Sequence, residues 1–279
     1  MKKLSVIKTI RGIADYVAGA LAESSEPAAA PAPSANGKHD APADLHPSAR
    51  SGEVQRLVVR LVDAPLPLRP RFNPPAGTLV LTDDRLGTAR ELADRLAEVD
   101  VNAVLVRHVE PGEAADGFAA DLTDPTAVTA LLTRIKSMCG SVAGLIHLLP
   151  LAEPPADETP VRRADREVKS LYLLARGLEP DIRAAGKAGS AVLLAVTGMG
   201  GRMGYGGDLP EAFTATHGGV AGFAKCLGYE WPEATVRVVD VDPETPAPRL
   251  VEMLLAELGD ADGPLEVGRD GDRRVTWQV

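Results

Sequence analysis

The strongest constraint in this sequence is a repeat of short apolar runs, each followed by a stretch of helical periodicity. The runs are TLVLT (78–82), NAVLVRH (102–108), GFAADL (117–122), VAGLIHLLPL (142–151), AVLLAVTG (191–198) and TVRVVDVD (235–242). Such runs, brief and almost continuously apolar, suit strands covered on both faces. Between them the spacing predicts helices at Thr88–Val99, with Leu92, Leu96 and Val99 inward, and at Pro125–Cys139, with Val128, Leu131, Leu132 and Ile135 inward. Further helices are predicted at Ala164–Ala185, Phe213–Tyr229 and Pro248–Leu258. Upstream, EVQRLVVRLVDAPL (53–66) alternates as a strand, and the tail PLEVGRDGDRRVTWQV (264–279) has strand-like character. Apolar strands alternating with amphipathic helices predict an α/β fold, a doubly wound, Rossmann-like parallel sheet with helices on both faces.

The N-terminal region departs from this pattern. Residues 1–22 read as a short amphipathic helix, with Ile7, Ile10, Ala14, Val17 and Leu21 on one stripe. Residues 23–52 are an Ala/Pro/Ser linker with no periodicity, expected to lack order. The globular part is therefore 53–279. Aromatic residues are only 4% of the chain, so small aliphatic side chains must fill its core. A formal charge of −9 argues against nucleic acid or an anionic membrane as the main partner. Two cysteines, Cys139 and Cys226, fit neither a disulfide framework nor a zinc cluster, and no metal site is expected. Lys8, Arg11 and Asp15 interrupt the apolar character of the opening segment, so secretion is not expected. No run is long enough to span a membrane, and a reducing, cytoplasmic location is expected.

In a doubly wound sheet, ligands bind beyond the carboxyl ends of the strands, so each of those loops can be searched for chemistry. A dinucleotide site needs glycines in the first βα turn, where backbone N–H groups approach a pyrophosphate. Here the turn is LTDDRLGTARELA: only Gly87 remains, and Asp83 and Asp84 stand where the phosphate would lie. Asp121 ends the third strand. It is either a cofactor contact or part of a capping box in which Thr123 or Asp124 caps the next helix and Pro125 opens it; capping is favoured. His147 reads as a structural histidine.

The loop AVLLAVTGMGGRMG and the helix FTATHGGVAGFAKCLGYEW resemble the active-site loop and helix of short-chain dehydrogenases and ketoreductases. The resemblance places Thr197 and Gly198 at that family's serine pair, and Phe213 and His217 at its catalytic tyrosine and lysine. The tyrosine gives a proton to the developing alkoxide, and the lysine lowers its pKa and holds the ribose. Thr197 could still donate a hydrogen bond, but Gly198 has no side chain and Phe213 no hydroxyl. His217 could carry a charge but has lost its partner. Tyr205, in the glycine-rich loop, is the remaining tyrosine candidate, since Tyr172 and Tyr229 read as packing residues. Lys169 is a fallback lysine, because modular polyketide ketoreductases carry theirs on the preceding helix. Lys225 reads as a solvated helix residue.

The segments KSLYLLARGLEPDI, HGGVAGFAKCLGYEWPEATVRVVDVDPET and EVGRDGDRRV resemble the ketoreductase region of iterative polyketide and polyunsaturated fatty acid synthases. LSVIKTIRGIADYV resembles the last helix of an acyl carrier protein. The resemblance implies a non-catalytic structural subdomain with a degenerate cofactor site, binding no cofactor alone. Its implied partners are a catalytic ketoreductase subdomain that holds NADPH, an acyl carrier protein and other synthase domains. The six strands counted above are a more complete sheet than modular structural subdomains keep, which leaves room for a residual ligand cleft. A different reading is an active NADPH-dependent β-ketoacyl reductase built on Thr197, Tyr205 and either His217 or Lys169. A third is a docking module that recruits another protein through residues 1–21.

Overall fold

Alternate residues of the apolar runs point to opposite sides of a sheet, and two separate hydrophobic layers follow from that alternation. In the computed structural model the described residues are 56–68, 72–110, 113, 116–206 and 211–279, without the side chains of 211–214. Contacts divide the chain into Met1–Gln55 and Arg56–Val279, and only the second unit is described. The helix expected at 1–22 and the linker at 23–52 lie outside the described residues.

The strands are β1 (Arg60–Asp63), β2 (Thr78–Thr82), β3 (Ala103–His108), β4 (Ala119–Ala120), β5 (Val142–His147), β6 (Val192–Thr197), β7 (Thr235–Asp240), β8 (Glu266–Asp270) and β9 (Arg273–Gln278). The helices are α1 (Thr88–Ala97), α2 (Pro125–Cys139), α3 (Pro160–Ala164), α4 (Ser170–Ala188), α5 (Glu211–Glu230) and α6 (Ala247–Leu258). A π-helical turn, Asp165–Lys169, joins α3 to α4. The sheet order is β1-β9-β8-β7-β6-β5-β2-β3-β4. From β4 to β8 all pairs are parallel; β9 and β1 are antiparallel additions at one edge. The run β4-β3-β2-β5-β6-β7 is the doubly wound order, with its direction of growth reversing between β2 and β5.

Helices α2, α4 and α5 cover one face, meeting Val80, Leu145, Leu193 and Val238. Helices α1 and α6 cover the other, meeting Leu79, Leu81, Ile146, Leu194 and Val239. Both layers are built mainly of Leu, Val, Ile and Ala; Trp231 is the buried aromatic among the described residues, while Phe72, Phe118 and Phe223 pack at the borders. Among the described residues, no helix is long and apolar enough to cross a membrane.

Several boundaries differ from the sequence expectation. Of the alternating segment 53–66, residues 53–55 lie outside the described residues, and among the rest the strand is Arg60–Asp63, paired with β9. The strand expected at 117–122 shrinks to Ala119–Ala120 on the sheet margin. The run 142–151 ends as a strand at His147, and Pro150 sits in a 3-10 turn, Leu149–Leu151, since proline cannot donate to a ladder. Helix α1 stops at Ala97, which leaves Val99 half exposed rather than inward. The tail is two strands, and its first half adds a seventh parallel strand to the six expected.

Candidate functional site

The reversal between β2 and β5 defines the crevice in which a fold of this order receives ligands. Thr82 ends β2 and His147 ends β5, and neither is exposed. The Thr82 hydroxyl oxygen accepts from the backbone N–H groups of Leu148 (2.8 Å) and Leu149 (2.9 Å). Its own proton is therefore directed to His147 Nδ1, 3.3 Å away. That leaves Nε2–H to donate to the Glu167 carbonyl at 2.9 Å. Burial holds the His147 pKa at about 4, reinforced by the Arg166 charge, so the ring is neutral. The histidine joins three elements, in keeping with the structural role expected of it.

The next loop carries Asp83, Asp84 and Gly87. Asp84 is fully buried, and its carboxylate accepts from the backbone N–H groups of Thr88 and Ala89, both at 3.2 Å. These are the first amides of α1, the donors that a helix N-terminus otherwise offers to an anion. Gly87 takes a left-handed φ of 97° at the turn into the helix, and Arg85 a φ of 58°. Asp83 is partly exposed and accepts from the Arg85 N–H at 2.9 Å. Asp121 accepts from both the backbone N–H and the hydroxyl of Thr123, while Asp124 caps α2 through the Thr126 N–H and Pro125 occupies the first turn. The capping alternative describes these contacts.

At the end of β6 the Thr197 hydroxyl donates to Asp240 Oδ1 at 2.8 Å. The same carboxylate accepts from Met199 N–H at 2.6 Å and, through Oδ2, from Met203 N–H at 2.7 Å. Burial still raises the Asp240 pKa to about 6, although the hydrogen bonds oppose the shift. The loop is also pressed against β8: a Cβ on Gly201, whose φ is 72°, would run into the Arg269 carbonyl oxygen. Thr197 therefore does not offer a free donor.

His217 is buried within α5, and its ring is held by structural contacts. Its Nδ1 accepts from the Gly198 N–H at 2.9 Å, and its Nε2 faces the Pro150 carbonyl at 3.1 Å and Glu167 Oε2 at 3.6 Å. Burial, helped by the Arg163 charge, lowers its pKa to about 4. The ring thus binds the ends of β5 and β6 together as a neutral group rather than as a cation. Glu167 comes from the π-helical turn and receives Arg163 Nε at 2.7 Å and Arg166 Nη2 at 3.1 Å. Arg166 also makes a two-point contact with Glu158, at 2.8 and 3.0 Å. Burial raises the Glu167 pKa, with Thr216 and the two arginines opposing.

The fallback candidates go elsewhere. Tyr205 stacks edge-on against Trp277 of β9, ring centroids 5.7 Å apart. Lys169 is exposed on the π-helical turn. Phe213 lies in α5, its side chain outside the described residues. Lys225 is not merely solvated, since its ammonium meets Glu266 at 2.7 Å. Tyr172 packs edge-on against Phe223, whereas Tyr229 is largely exposed. Among the described residues no cluster of metal-binding side chains occurs. An open cavity of about 580 Å³, lined by Asp83, Arg85, Arg107, Val109 and Glu113, lies past the ends of β2 and β3.

Sequence reasoning missed Asp240, Glu167, Arg163 and Arg166. Asp240 had a readable signal, a carboxylate closing a valine-rich strand. The arginine–glutamate group had none, because its geometry depends on the π-helical turn.

No protein-family model matches the sequence. Solved structures of similar fold include a multidomain structure described as the adenylation, ketoreductase and pseudo-Asub portion of a keto acid-selecting NRPS module. The TM-score is 0.60 at 18% identity, over 79% of this chain and 18% of that one. A 3-ketoacyl-(acyl-carrier-protein) reductase from Brucella melitensis, complexed with NADH, gives a TM-score of 0.52 at 20% identity, over 69% of this chain and 95% of that one. A short-chain dehydrogenase/reductase of the glucose/ribitol dehydrogenase type, also from Brucella melitensis, gives 0.52 at 16% identity, over 70% and 95%. The fold of the described unit is thus the Rossmann-like fold of short-chain dehydrogenase/reductase structures.

Proposed function

We propose that this chain is a non-catalytic structural subdomain of a polyketide or fatty acid synthase ketoreductase. In this reading it supports the NADPH-dependent reduction of a carrier-bound β-ketoacyl thioester by a partner catalytic subdomain. The observation that carries the reading is the Asp84 carboxylate on the first amides of α1. A dinucleotide pyrophosphate needs those donors and is repelled by a carboxylate that already holds them, so the residues present do not fit the cofactor. His217 and Asp240 support the same reading, since each spends its polar atoms on closing loops. The ketoreductase named in the NRPS-module structure supports it by analogy of fold only. The chain's partners are then the catalytic subdomain, an acyl carrier protein and neighbouring synthase domains, in the cytoplasm.

The test is NADPH oxidation with a simple β-ketoacyl thioester, using this chain, a separately expressed catalytic subdomain, and both together. The expected result is no turnover by this chain and higher turnover by the pair than by the catalytic subdomain alone. Turnover by this chain alone, abolished by Tyr205→Phe, would overturn the proposal.

A further inference from the structure

The β8–β9 register sets Arg269 directly opposite Arg274, and both side chains are more than nine-tenths buried. Like charges opposite one another destabilise a ladder unless something neutralises them. Arg237 of β7, also buried, joins the same cluster. The neutralising groups are Glu257 of α6 and Asp260 just past it, both buried. Arg274 is fully engaged: it donates to Glu257 from Nε (2.9 Å) and Nη2 (2.8 Å), to Asp260 from Nη2 (2.7 Å), and to the Ala64 carbonyl from Nη1 (2.8 Å). Arg237 reaches Glu257 at 3.3 Å and the Pro264 carbonyl at 3.0 Å. Three buried guanidiniums thus share two buried carboxylates, which leaves one positive charge without a counterion. A buried charge is costly until it is paired.

That charge belongs to Arg269. Its Nη2 meets Glu257 at 2.5 Å and the Met253 carbonyl at 3.4 Å. Its Nε is enclosed with no hydrogen-bond partner, and Nη1 has none either but is not enclosed. Burial lowers the Arg269 pKa, Glu257 opposing the shift and Arg274 adding to it. A cavity of about 440 Å³ opens on this residue, and its walls include Arg274 and the apolar Pro65 and Leu66. The other charged residues of the wall are already paired, Asp63 with Arg273 and Asp272 with Arg249, each at 2.7 Å. A second cavity also touches Arg269, but Asp242 and Glu244 line it and repel an anion.

We propose that the cavity over Arg269 and Arg274 binds one small carboxylic acid as its carboxylate, with Pro65 and Leu66 against the apolar stem. One negative charge completes the ion network, and the unpartnered Nη1 supplies a charge-assisted hydrogen bond. A phosphate dianion brings a second charge that nothing in the network offsets, in a cavity that Asp63 and Asp272 also line. The site lies at the β8–β9 margin, apart from the crevice between β2 and β5, and holds whether or not the chain is catalytic.

Titration calorimetry of the full chain tests the site with four probes: hexanoate, hexanamide, inorganic phosphate and an N-acetylated dipeptide with a free C-terminus. One hexanoate per chain is expected, with the uncharged hexanamide weaker by about tenfold or more. Bound hexanoate should also raise the unfolding temperature. Arg269→Lys keeps a charge beside Glu257 but removes Nη1, and should weaken hexanoate by about tenfold or more. Should that variant not fold, Leu66→Asp takes its place. It lies outside the ion network and sets a carboxylate in the cavity wall, so the same loss is expected. No binding of hexanoate, equal binding of hexanamide, or unchanged affinity in a folded variant overturns the site. Tighter binding of phosphate or of the dipeptide overturns the choice of a small carboxylic acid as its ligand.

Discussion

Where β2, β5 and β6 end, buried polar side chains hold one another: Asp84 on α1, Thr82 on His147, His217 on Gly198, Asp240 on its loop. At the β1–β9 margin the reverse holds, and the apolar side chains of Leu57, Val58 and Val59 meet solvent. The first region spends its polar groups on itself, whereas the second leaves apolar side chains to solvent. A group that satisfies its neighbours internally adds stability and loses ligand affinity.

Substitutions in the closed region should therefore unfold the chain, and substitutions at the open margin should not. The largest effect is expected for Asp240→Ala. It strands the Thr197 hydroxyl and the Met199 and Met203 N–H groups in a buried loop, a loss of about 3–5 kcal/mol in denaturant unfolding. Asp240→Asn, which keeps one acceptor, should lose less.

Acid should act next on the same region. His147 and His217 have folded pKa values of about 4, against 6.5 for a free histidine. The folded state therefore binds their protons less readily than the unfolded chain. The stability each neutral ring contributes is complete above pH 6.5 and is lost between 6.5 and 4, by about 3 kcal/mol per ring. Asp240 opposes this: its pKa of about 6, against 3.8, makes the folded state gain about 3 kcal/mol as the pH falls through that window. Unfolding measured at successive pH values should show a net loss toward pH 4. His147→Gln should flatten that loss, whereas a margin variant such as Leu57→Ser should leave it unchanged.

Asp84→Ala removes the cap on α1 and should lower stability by about 1–2 kcal/mol. It is also the variant that sharpens the contrast most, because it frees the helix amides for an anion. The smallest effect is expected for Val58→Pro, within about 0.5 kcal/mol of the parent protein. A large loss there would show that the margin is tied down in the isolated chain after all.

The layers of the fold were legible because periodicity reports burial directly. Val80 and Leu81, or Leu193 and Leu194, face opposite layers as strand alternation requires. Strand ends were less legible, since β4 takes its length from its neighbour in the sheet rather than from its own residues. At the site, the sequence showed which groups were missing at Gly198 and Phe213. It did not show what replaced them. Asp84 reads equally as a repulsive charge or a helix cap until the backbone direction is known. His217 gains its partners from Pro150 and Gly198, residues distant in the chain that only the sheet order brings together. Arg237 is a further case: a charged residue inside β7 signals a buried partner, but Glu257 on α6, at 3.3 Å, could not be chosen from spacing.

Beside the crevice between β2 and β5, the first amides of α1 are held by the chain's own Asp84 carboxylate. Titration calorimetry of the full chain with NADPH is the decisive measurement. No measurable heat of binding is expected for the parent protein. Tight binding at one NADPH per chain would show instead that those amides remain available to a cofactor.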